Sequence, residues 1–226
     1  MSRHDRQGPS PPPDLPFDEF QRIYGRYEAL SPAQAAELFA GAPFRWWIAG
    51  GWSVELDPEP RRLHEDLEVA IPRDDLPEVR EWLRGYHLWD THAGSLRFLG
   101  PGVTVPVDHE QLWVRRDGYS PWLMDLMLTP VEGDTWHYKR DHRVSRPLAE
   151  IVTTGPDGIP RQRPEVTLLY KARRRLEKDE ADFAAVVPRL EREDRTWLRD
   201  AIKLTEPEGH PWVERLGLTR AARPQP

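Results

Sequence analysis

The 226-residue sequence contains no cysteine. Disulfide bonds and thiolate metal sites are therefore excluded, which suits a cytoplasmic protein, and we expect the chain to be cytoplasmic. Long apolar runs are missing too, since no stretch approaches the roughly 20 residues that a membrane-spanning helix needs. The N-terminus also lacks the pattern of a signal peptide. The sequence therefore predicts a protein without a membrane contact.

The sequence also lacks a surplus of positive charge. The formal net charge is -6 and the isoelectric point lies near 5.8, whereas a general nucleic-acid binder normally carries a basic surface. This balance disfavours nucleic acid as a partner. Hydrophobic residues make up 38% and charged residues 31% of the chain, which fits a globular protein with one large domain or two small ones.

The order of patterns along the chain predicts an α+β fold. Residues 1–16 are polar and proline-rich, which indicates a disordered tail. Helix and strand patterns then alternate over residues 17–155, where we expect a mixed β-sheet with flanking helices. From 156 to 217 the pattern is helical and predicts a C-terminal helical bundle, and residues 218–226 are expected to fray.

The first half of the chain offers the clearest element boundaries. Ser31 followed by Pro32 predicts an N-cap and the first residue of a helix, and Asp74 is predicted to cap a later helix. The predicted elements are a helix over Phe17–Tyr27, a helix ending at Phe39, a strand over Phe44–Ala49, a short helix over Gly51–Leu56, a strand over Leu63–Ile71 and a helix over Asp75–Arg84.

Short strands dominate the second half up to Pro164, where the pattern becomes helical. Residues 108–114 fit either a helical turn or a loop followed by a strand. The predicted strands are Tyr86–Asp90, Leu96–Leu99, Trp122–Leu128, Asp134–Lys139 and Leu148–Val152. Helices are predicted in the runs that begin at Pro164, Asp182 and Arg192, and again around His210–Leu216.

The stretch Trp46–Pro72 carries the chemistry. Gly50 and Gly51 lead into a short helix, and Asp66 and Glu68 follow on the predicted strand, where side chains two apart share one face. Adjacent carboxylates repel each other unless a cation lies between them, and Mg²⁺ prefers such oxygen ligands. Glycines let the backbone approach a phosphate closely, and a helix N-terminus attracts anions.

A pair of glycines or a pair of carboxylates on a strand is common and usually has no special role. Their combination within one strand–turn–helix–loop–strand unit is specific. Ala49-Gly50-Gly51, a spacer, and Asp66-Leu67-Glu68-Val69 resemble the signature of the DNA polymerase β-like nucleotidyltransferase superfamily. The flanking words AGGWSVE and RRLHEDLEVAI are most similar to the aminoglycoside 2''-adenylyltransferase and lincosamide nucleotidyltransferase group. In those relatives the second carboxylate is usually Asp, so Glu68 is a departure.

The resemblance implies a nucleotidyltransferase fold and a Mg²⁺-dependent reaction. The enzyme is expected to move a nucleoside monophosphate, most often AMP from ATP, to a hydroxyl group of a small molecule such as an aminoglycoside or a lincosamide. Its partners are then a nucleoside triphosphate and a small hydroxylated acceptor. Such antibiotic modification confers resistance.

Asp125 is the third candidate carboxylate. It stands in the apolar run 123–128, where a charge is costly to bury without a partner. One interpretation is a buried ion pair with an arginine. The other, which the resemblance favours, places Asp125 beside Asp66 and Glu68 as a metal ligand or a general base. Asp108 is the alternative candidate for the base, although its interpretation as an ordinary loop acid is the stronger one.

Four further side chains are candidates for nucleotide binding together with Gly50 and Gly51. Ser53 follows the glycine turn, although a helix first-turn hydroxyl is an equal interpretation. Arg62 and His64 precede the carboxylate strand and match the pattern R-x-H-x-D of the family. A structural role explains His64 nearly as well. Lys171 lies in a helix that resembles the family's helix after the catalytic domain, where it meets phosphate.

Two other functions remain compatible with the sequence. One is a toxin-type relative that keeps the chemistry but modifies a protein or an RNA. The other is a catalytically weak nucleotide-binding or regulatory protein of the same fold, an interpretation that Glu68 in place of Asp supports. Fold alone does not decide among these functions.

Overall fold

The computed structural model describes residues 17–55, 57 and 60–218. The predicted N-terminal tail, 1–16, lies outside the described residues, and of the predicted C-terminal tail only Leu218 lies within them. The described helices are α1 (Phe17–Tyr24), α2 (Pro32–Leu38), α3 (Gly50–Ser53), α4 (Leu76–Trp82), α5 (Pro164–Ala172), α6 (Glu177–Val186), α7 (Arg192–Thr205) and α8 (Pro211–Leu218).

The strands of the described residues are short, and most of them belong to one large sheet. They are β1 (Trp47–Ile48), β2 (Glu68–Pro72), β3 (His87–His92), β4 (Ser95–Phe98), β5 (Gln111–Arg115), β6 (Trp122–Thr129), β7 (Val131–Glu132), β8 (Thr135–His137), β9 (Ser145–Pro147), β10 (Val152–Thr154) and β11 (Pro160–Gln162). The large sheet has the order β10-β11-β1-β2-β6-β5-β3-β4, and β7, β8 and β9 form a small second sheet.

The large sheet is mixed, as the sequence predicts. β2 and β6 are parallel, β1 and β11 are parallel, and the other pairs are antiparallel. Helices cover both of its faces, because its central strands carry apolar side chains in both directions. The α+β architecture is therefore confirmed.

Two apolar cores lie on opposite faces of this sheet. On one face, strand residues such as Val69 and Leu126 pack with Phe39 next to α2 and Val79 of α4. On the other face, residues of β1 and β2, including Ala70, pack against helices α5 to α8 and the small sheet. The strand β2 contributes to both cores, so its position is fixed from two sides.

Several element boundaries agree with the sequence. Ser31 caps α2 through a reciprocal capping box with Gln34, and Pro32 is the first helical residue. The region 108–114, which fitted two structures, contains the strand β5. The run with Asp125 in its middle is β6, and the helices predicted from Pro164 onward are present.

Other boundaries were wrong. The strands predicted over Phe44–Ala49 and Leu63–Ile71 shrink to β1 and β2, so Asp66 precedes its strand instead of lying in it. Asp74 does not cap α4, because residues 73–75 form a 3₁₀ turn that leads into the helix. The predicted strand Leu148–Val152 is a 3₁₀ turn over residues 148–150 followed by β10.

The predicted division between residues 155 and 156 falls inside the hairpin of β10 and β11, and β11 pairs with β1 in the large sheet. The division into a sheet domain and a helical domain stays a prediction. Among the described residues, no helix is both long enough and apolar enough to cross a membrane.

Candidate active site

The glycine turn between β1 and α3 is built so that only glycine fits at its first position. Gly50 has φ +56°, and a β-carbon added there would lie 1.4 Å from Glu68 Oε2. The amide of Ala49 donates to the carbonyl of Glu68 at 2.8 Å, which fixes the turn against the start of β2. The turn and the carboxylate strand are therefore in direct contact, as the motif requires.

The three predicted carboxylates meet at the start of β2. Asp66 is exposed just before the strand, and Glu68 is its half-buried first residue. Leu67 between them is fully buried, so the predicted alternation holds although Asp66 lies outside the strand. Asp125 pairs with Glu68 across the parallel strands β2 and β6, and the two side chains share one face of the sheet.

Asp125 is 5% exposed and is held by two hydrogen-bond donors. The hydroxyl of Tyr27 donates to Oδ1 at 2.6 Å, and the side-chain amide of Gln111 donates to Oδ2 at 2.5 Å. The buried ion pair with an arginine that the sequence left open is therefore not what partners this carboxylate. Together the two donors fix the orientation of the Asp125 carboxylate.

Burial and nearby negative charge raise the pKa values of Glu68 and Asp125. Burial and the nearby Asp66 raise the pKa of Glu68 to about 7. Burial, followed by the charge of Asp66, raises the pKa of Asp125 well above its ordinary value, although Tyr27 and Gln111 oppose this change. Three close oxygen-donor groups that repel one another in this way suit a hard divalent cation, since it would relieve their repulsion.

A cleft of about 500 Å³ opens beside this carboxylate group. Its wall includes the glycine turn, Asp66 and Glu68, while Asp125 is buried next to Glu68. Among the described residues, the cationic side chains of the lining are Arg62, Lys139, Arg140, Lys171, Arg174 and Lys178. The cleft therefore offers cations that suit the phosphates of a nucleoside triphosphate and carboxylates that suit a divalent ion.

Arg62 and His64 lie against the second glycine of the turn. A β-carbon on Gly51 would stand 2.5 Å from an Arg62 guanidinium nitrogen and 2.7 Å from His64 Nδ1. His64 Nε2 contacts Glu55 at 2.8 Å, and its ring stacks on Trp52 with the centroids 4.4 Å apart. Burial is the largest cause of the lowered pKa of His64. His64 therefore supports the turn from behind, whereas Arg62 lines the cleft.

Lys171 lines the cleft from α5. Its ammonium contacts Asp179 at 2.9 Å and Asp182 at 3.1 Å, two buried carboxylates of α6. Arg62 also contacts Asp182, at 3.4 Å. The two cations that the sequence predicts for phosphate binding are thus brought together by one acidic residue that the sequence analysis did not select.

Ser53 lies away from the cleft. Its side chain is 1% exposed, and its hydroxyl donates to the carbonyl of Gly50 at 2.8 Å. The hydroxyl of Thr167 lies 2.7 Å away and itself accepts from Gln162, so it is left to donate its proton to Ser53. Of the two interpretations of Ser53, the structure favours the helix first-turn hydroxyl over a direct phosphate contact.

Asp108, the alternative candidate for the base, lies apart from the three carboxylates. It is exposed in the loop before β5, next to His92 and His109, and His109 Nδ1 contacts the buried Asp90 at 2.7 Å. By strand alternation Asp90 belongs to the sheet face opposite Asp125. The geometry therefore favours Asp125 over Asp108.

His92, Asp108 and His109 are a second candidate metal site. Within the described part of the chain, they form the only group of three histidine or acidic side chains whose possible ligand atoms all lie within 4.8 Å of one another. The two imidazole rings stack with centroids 3.8 Å apart and planes 6° apart. Their nitrogen lone pairs consequently lie in parallel planes and do not meet at one point, which argues against a metal site in this arrangement. Asp66, Glu68 and Asp125 are spaced more widely than this group.

The sequence analysis missed Tyr27, Gln111, Lys139 and Arg140. Tyr27 and Gln111 contact Asp125 from distant parts of the chain, and neither belongs to a recognisable motif. Lys139 and Arg140 line the cleft from the basic loop after β8. The only signal for them was the clustering of basic residues between 139 and 146.

Comparison with known proteins adds one family and two structures. The family model described as aminoglycoside-2''-adenylyltransferase matches residues 33–154, which is more than half of the chain. No curated protein sequence matches. A solution structure of the antibiotic-resistance factor ANT(2'')-Ia is 14% identical, with a TM-score of 0.50, and the match covers 78% of this chain and 93% of that one. This likeness shows the fold.

A crystal structure of ANT(2'')-Ia in complex with adenylyl-2''-tobramycin also matches, at 14% identity and a TM-score of 0.42, over 82% of this chain and 93% of that one.

Proposed function

The chain belongs to the aminoglycoside-2''-adenylyltransferase family of nucleotidyltransferases, and we propose that it transfers AMP from ATP to a hydroxyl group of an aminoglycoside. The observation that supports this proposal most strongly is the register of β2 and β6, which sets Asp125 beside Glu68 next to a cation-lined cleft. Carboxylates for a divalent ion and cations for the phosphates are the groups that nucleotidyl transfer needs.

We assign Asp66, Glu68 and Asp125 as the residues that hold Mg²⁺, because their donor set is made of oxygen atoms and their mutual repulsion is relieved by a cation. When bound, such an ion neutralises charge that develops on the triphosphate. Tyr27 and Gln111 keep both oxygens of Asp125 in place through their hydrogen bonds.

At the α-phosphorus the reaction forms one bond and breaks one, and a proton leaves the acceptor hydroxyl. The acceptor hydroxyl oxygen attacks the α-phosphorus of ATP, the bond from the α-phosphorus to the bridging oxygen breaks, and pyrophosphate leaves. The ionised carboxylate of Asp125 takes the hydroxyl proton, and its raised pKa makes that carboxylate a stronger base. Arg62 and Lys171 attract and hold the triphosphate with the other cations of the cleft.

The charge of the protein suits a cationic acceptor. The net charge is -6, and Glu65 and Glu110 add negative charge to the rim of the cleft. Aminoglycosides carry several protonated amino groups, so the field of the protein favours their approach. This attraction supports an aminoglycoside over an uncharged sugar as the acceptor.

The test is a transfer assay with purified, tag-free protein. ATP, GTP, CTP and UTP are each incubated with Mg²⁺ and a panel of aminoglycosides and lincosamides, and products are identified by mass spectrometry. We expect AMP transfer from ATP to aminoglycosides, lost in Asp66→Asn. Asp200→Asn, which changes an exposed acid on α7, serves as the matched control and should keep full activity.

Other outcomes separate the alternatives. Labelling of the protein itself or of added RNA would support a toxin-type reaction. Transfer to lincosamides but not to aminoglycosides would make a lincosamide the acceptor in place of an aminoglycoside. Nucleotide binding without any transfer would identify a catalytically weak nucleotide-binding protein. Activity that survives Asp66→Asn would remove the assigned metal site.

A further inference from the structure

Helix α6 presents two buried acidic side chains one turn apart. Asp179 is 4% exposed and Asp182 is 1% exposed. Two like charges so close on a helix destabilise it unless cations neutralise them. The described residues supply those cations from two other elements: the loop before β2 and helix α5.

Asp182 is the centre of this arrangement. Its Oδ2 lies 3.1 Å from the Lys171 ammonium and 3.4 Å from an Arg62 guanidinium nitrogen. Its Oδ1 lies 3.3 Å from Arg61, which is also paired with the buried Glu55 at 3.1 Å. One carboxylate therefore ties the loop before β2 to α5.

We propose that Asp182 is a positioning residue that holds Lys171 and Arg62 in place for the triphosphate of the nucleotide donor. The inference rests on the proposed function, because it concerns the donor side of the same cleft. Asp182 is buried behind the two cations and acts through them, so it is not itself a contact of the nucleotide.

The donors of Lys171 show why this arrangement leaves room for a ligand. An ammonium group carries three N–H donors; Asp179 accepts one of them, and Asp182 lies at ion-pair distance and can take a second. The third remains for a phosphate oxygen, and Lys171 lines the cleft. Its side chain is held before the ligand arrives, so less conformational entropy is lost on binding.

Arg62 gives a second, independent indication of a ligand. Its Nε is buried and has no hydrogen-bond partner among the described residues. A buried donor without a partner is costly. The guanidinium also lies over Gly51, at the turn where a phosphate would approach the backbone. An anion in the cleft would satisfy this donor.

The first experiment compares Asp182→Asn with the wild type in the ATP transfer assay. The amide keeps the shape but loses the charge, so we expect the KM for ATP to rise about tenfold, the cost of weakening one charge-assisted contact. We expect kcat to change by less than about twofold, since Asp66, Glu68 and Asp125 are untouched. An unchanged KM would overturn the proposal.

Glu165→Gln is the matched control. Glu165 is also a buried acid between two arginines, with Arg163 at 2.8 Å and Arg146 at 3.1 Å, but none of the three lines the cleft. We expect it to lower the melting temperature without changing the KM for ATP. A KM raised equally by both variants would mean that buried charge supports the fold in general, and would overturn the specific role.

A double-mutant cycle tests the route of the effect. If Asp182 acts through Lys171, Asp182→Asn should raise the KM much less in a Lys171→Met background than in the wild type. Fully additive effects would overturn the proposal. The double variant removes both members of the buried pair, so it also serves if Asp182→Asn alone does not fold. In that case its KM should stay within about threefold of that of Lys171→Met, and a larger rise would overturn the proposal.

A binding measurement separates this inference from the proposed function. Inorganic tripolyphosphate is titrated into each variant by calorimetry, which needs no acceptor and no turnover. Tighter binding to the wild type than to Asp182→Asn supports the positioning role even if no transfer to aminoglycosides occurs. Equal binding by both proteins would reject the role while leaving the transfer reaction intact.

Discussion

The carboxylate of Glu68 occupies the space in which a side chain at Gly50 would have to stand. The two are so close that a β-carbon on Gly50 would lie 1.4 Å from Oε2. The backbone at Gly50 also has φ +56°, where side chains are disfavoured. Gly50 therefore has two roles: it leaves room for the Glu68 carboxylate, and it lets a phosphate approach the backbone.

Gly50→Ala should abolish transfer, because the methyl group must displace the Glu68 carboxylate or the turn. We expect kcat/KM to fall at least a hundredfold, a loss of roughly 3 kcal/mol in transition-state stabilisation. Gly133→Ala is the control, since Gly133 has φ +59° and nothing within 4 Å of the added carbon. Gly133→Ala should lose stability through the same kind of backbone strain but keep its activity. Equal losses in both variants would assign the effect to strain alone.

Tyr27→Phe removes the hydroxyl that donates to Asp125 Oδ1 at 2.6 Å. That hydrogen bond favours the ionised carboxylate, so its loss should raise the pKa of Asp125 further. We expect kcat to fall about tenfold while the KM for ATP stays constant. Tyr24→Phe is the control, because it removes a hydroxyl that donates to the Gly94 carbonyl at 3.4 Å and both tyrosines contact the Trp113 ring. An unchanged kcat in Tyr27→Phe would show that Asp125 does not depend on this donor.

Ser53→Ala should cost stability and leave nucleotide affinity intact. The hydroxyl is buried between the Gly50 carbonyl and Thr167, so its loss should lower the free energy of unfolding by about 1–2 kcal/mol. Ser95→Ala, which removes an exposed bond to the His92 carbonyl, should cost much less. Denaturant titration measures both. A large rise in the KM for ATP in Ser53→Ala would instead support a direct phosphate contact.

The raised pKa of Glu68 predicts how stability depends on pH in the absence of metal. Below about pH 4.5 both the folded and the unfolded protein carry the proton, so Glu68 has no effect. Between pH 4.5 and about 7 the unfolded state loses the proton while the folded state keeps it, and stability falls as pH rises. Glu68→Gln cannot ionise and should escape this loss, gaining up to about 3 kcal/mol over the wild type near pH 8.

Unfolding in urea with EDTA, at a series of pH values, measures this difference. Glu78→Gln on the exposed side of α4 is the control and should follow the wild type. Added Mg²⁺ should shrink the advantage of Glu68→Gln. An advantage that is the same at pH 4 and pH 8 would contradict the predicted ionisation.

Local patterns in the sequence were sufficient for the elements that carry the chemistry. Asp125 stood out because a single charge interrupts an apolar run, and that run is β6. The glycine turn and Glu68 were recognisable because the motif lies within one short segment. Asp74 was misjudged because a 3₁₀ turn, which has no strong sequence signal, stands before α4.

Most contacts between distant segments were beyond the reach of the sequence, although the family resemblance already placed Asp125 beside Asp66 and Glu68. Nothing in a single sequence indicates that β6 lies parallel to β2, or that Tyr27 reaches Asp125 across 98 positions. The network around Asp182 was missed for the same reason. Its partners come from two segments, and in the sequence Asp182 only begins an ordinary amphipathic run.

The pairing of β1 with β11 has a consequence for how the protein is made. β1 is complete at Ile48, and β2 covers one of its edges. The strand β11, which covers the other edge, is not synthesised until Arg161 and its neighbours emerge. Such distant partners close slowly, so this edge of β1 stays open while about half of the chain is synthesised. A chain that stops near residue 155 keeps that edge exposed and lacks Lys171. We expect such a fragment to aggregate rather than persist as a smaller enzyme.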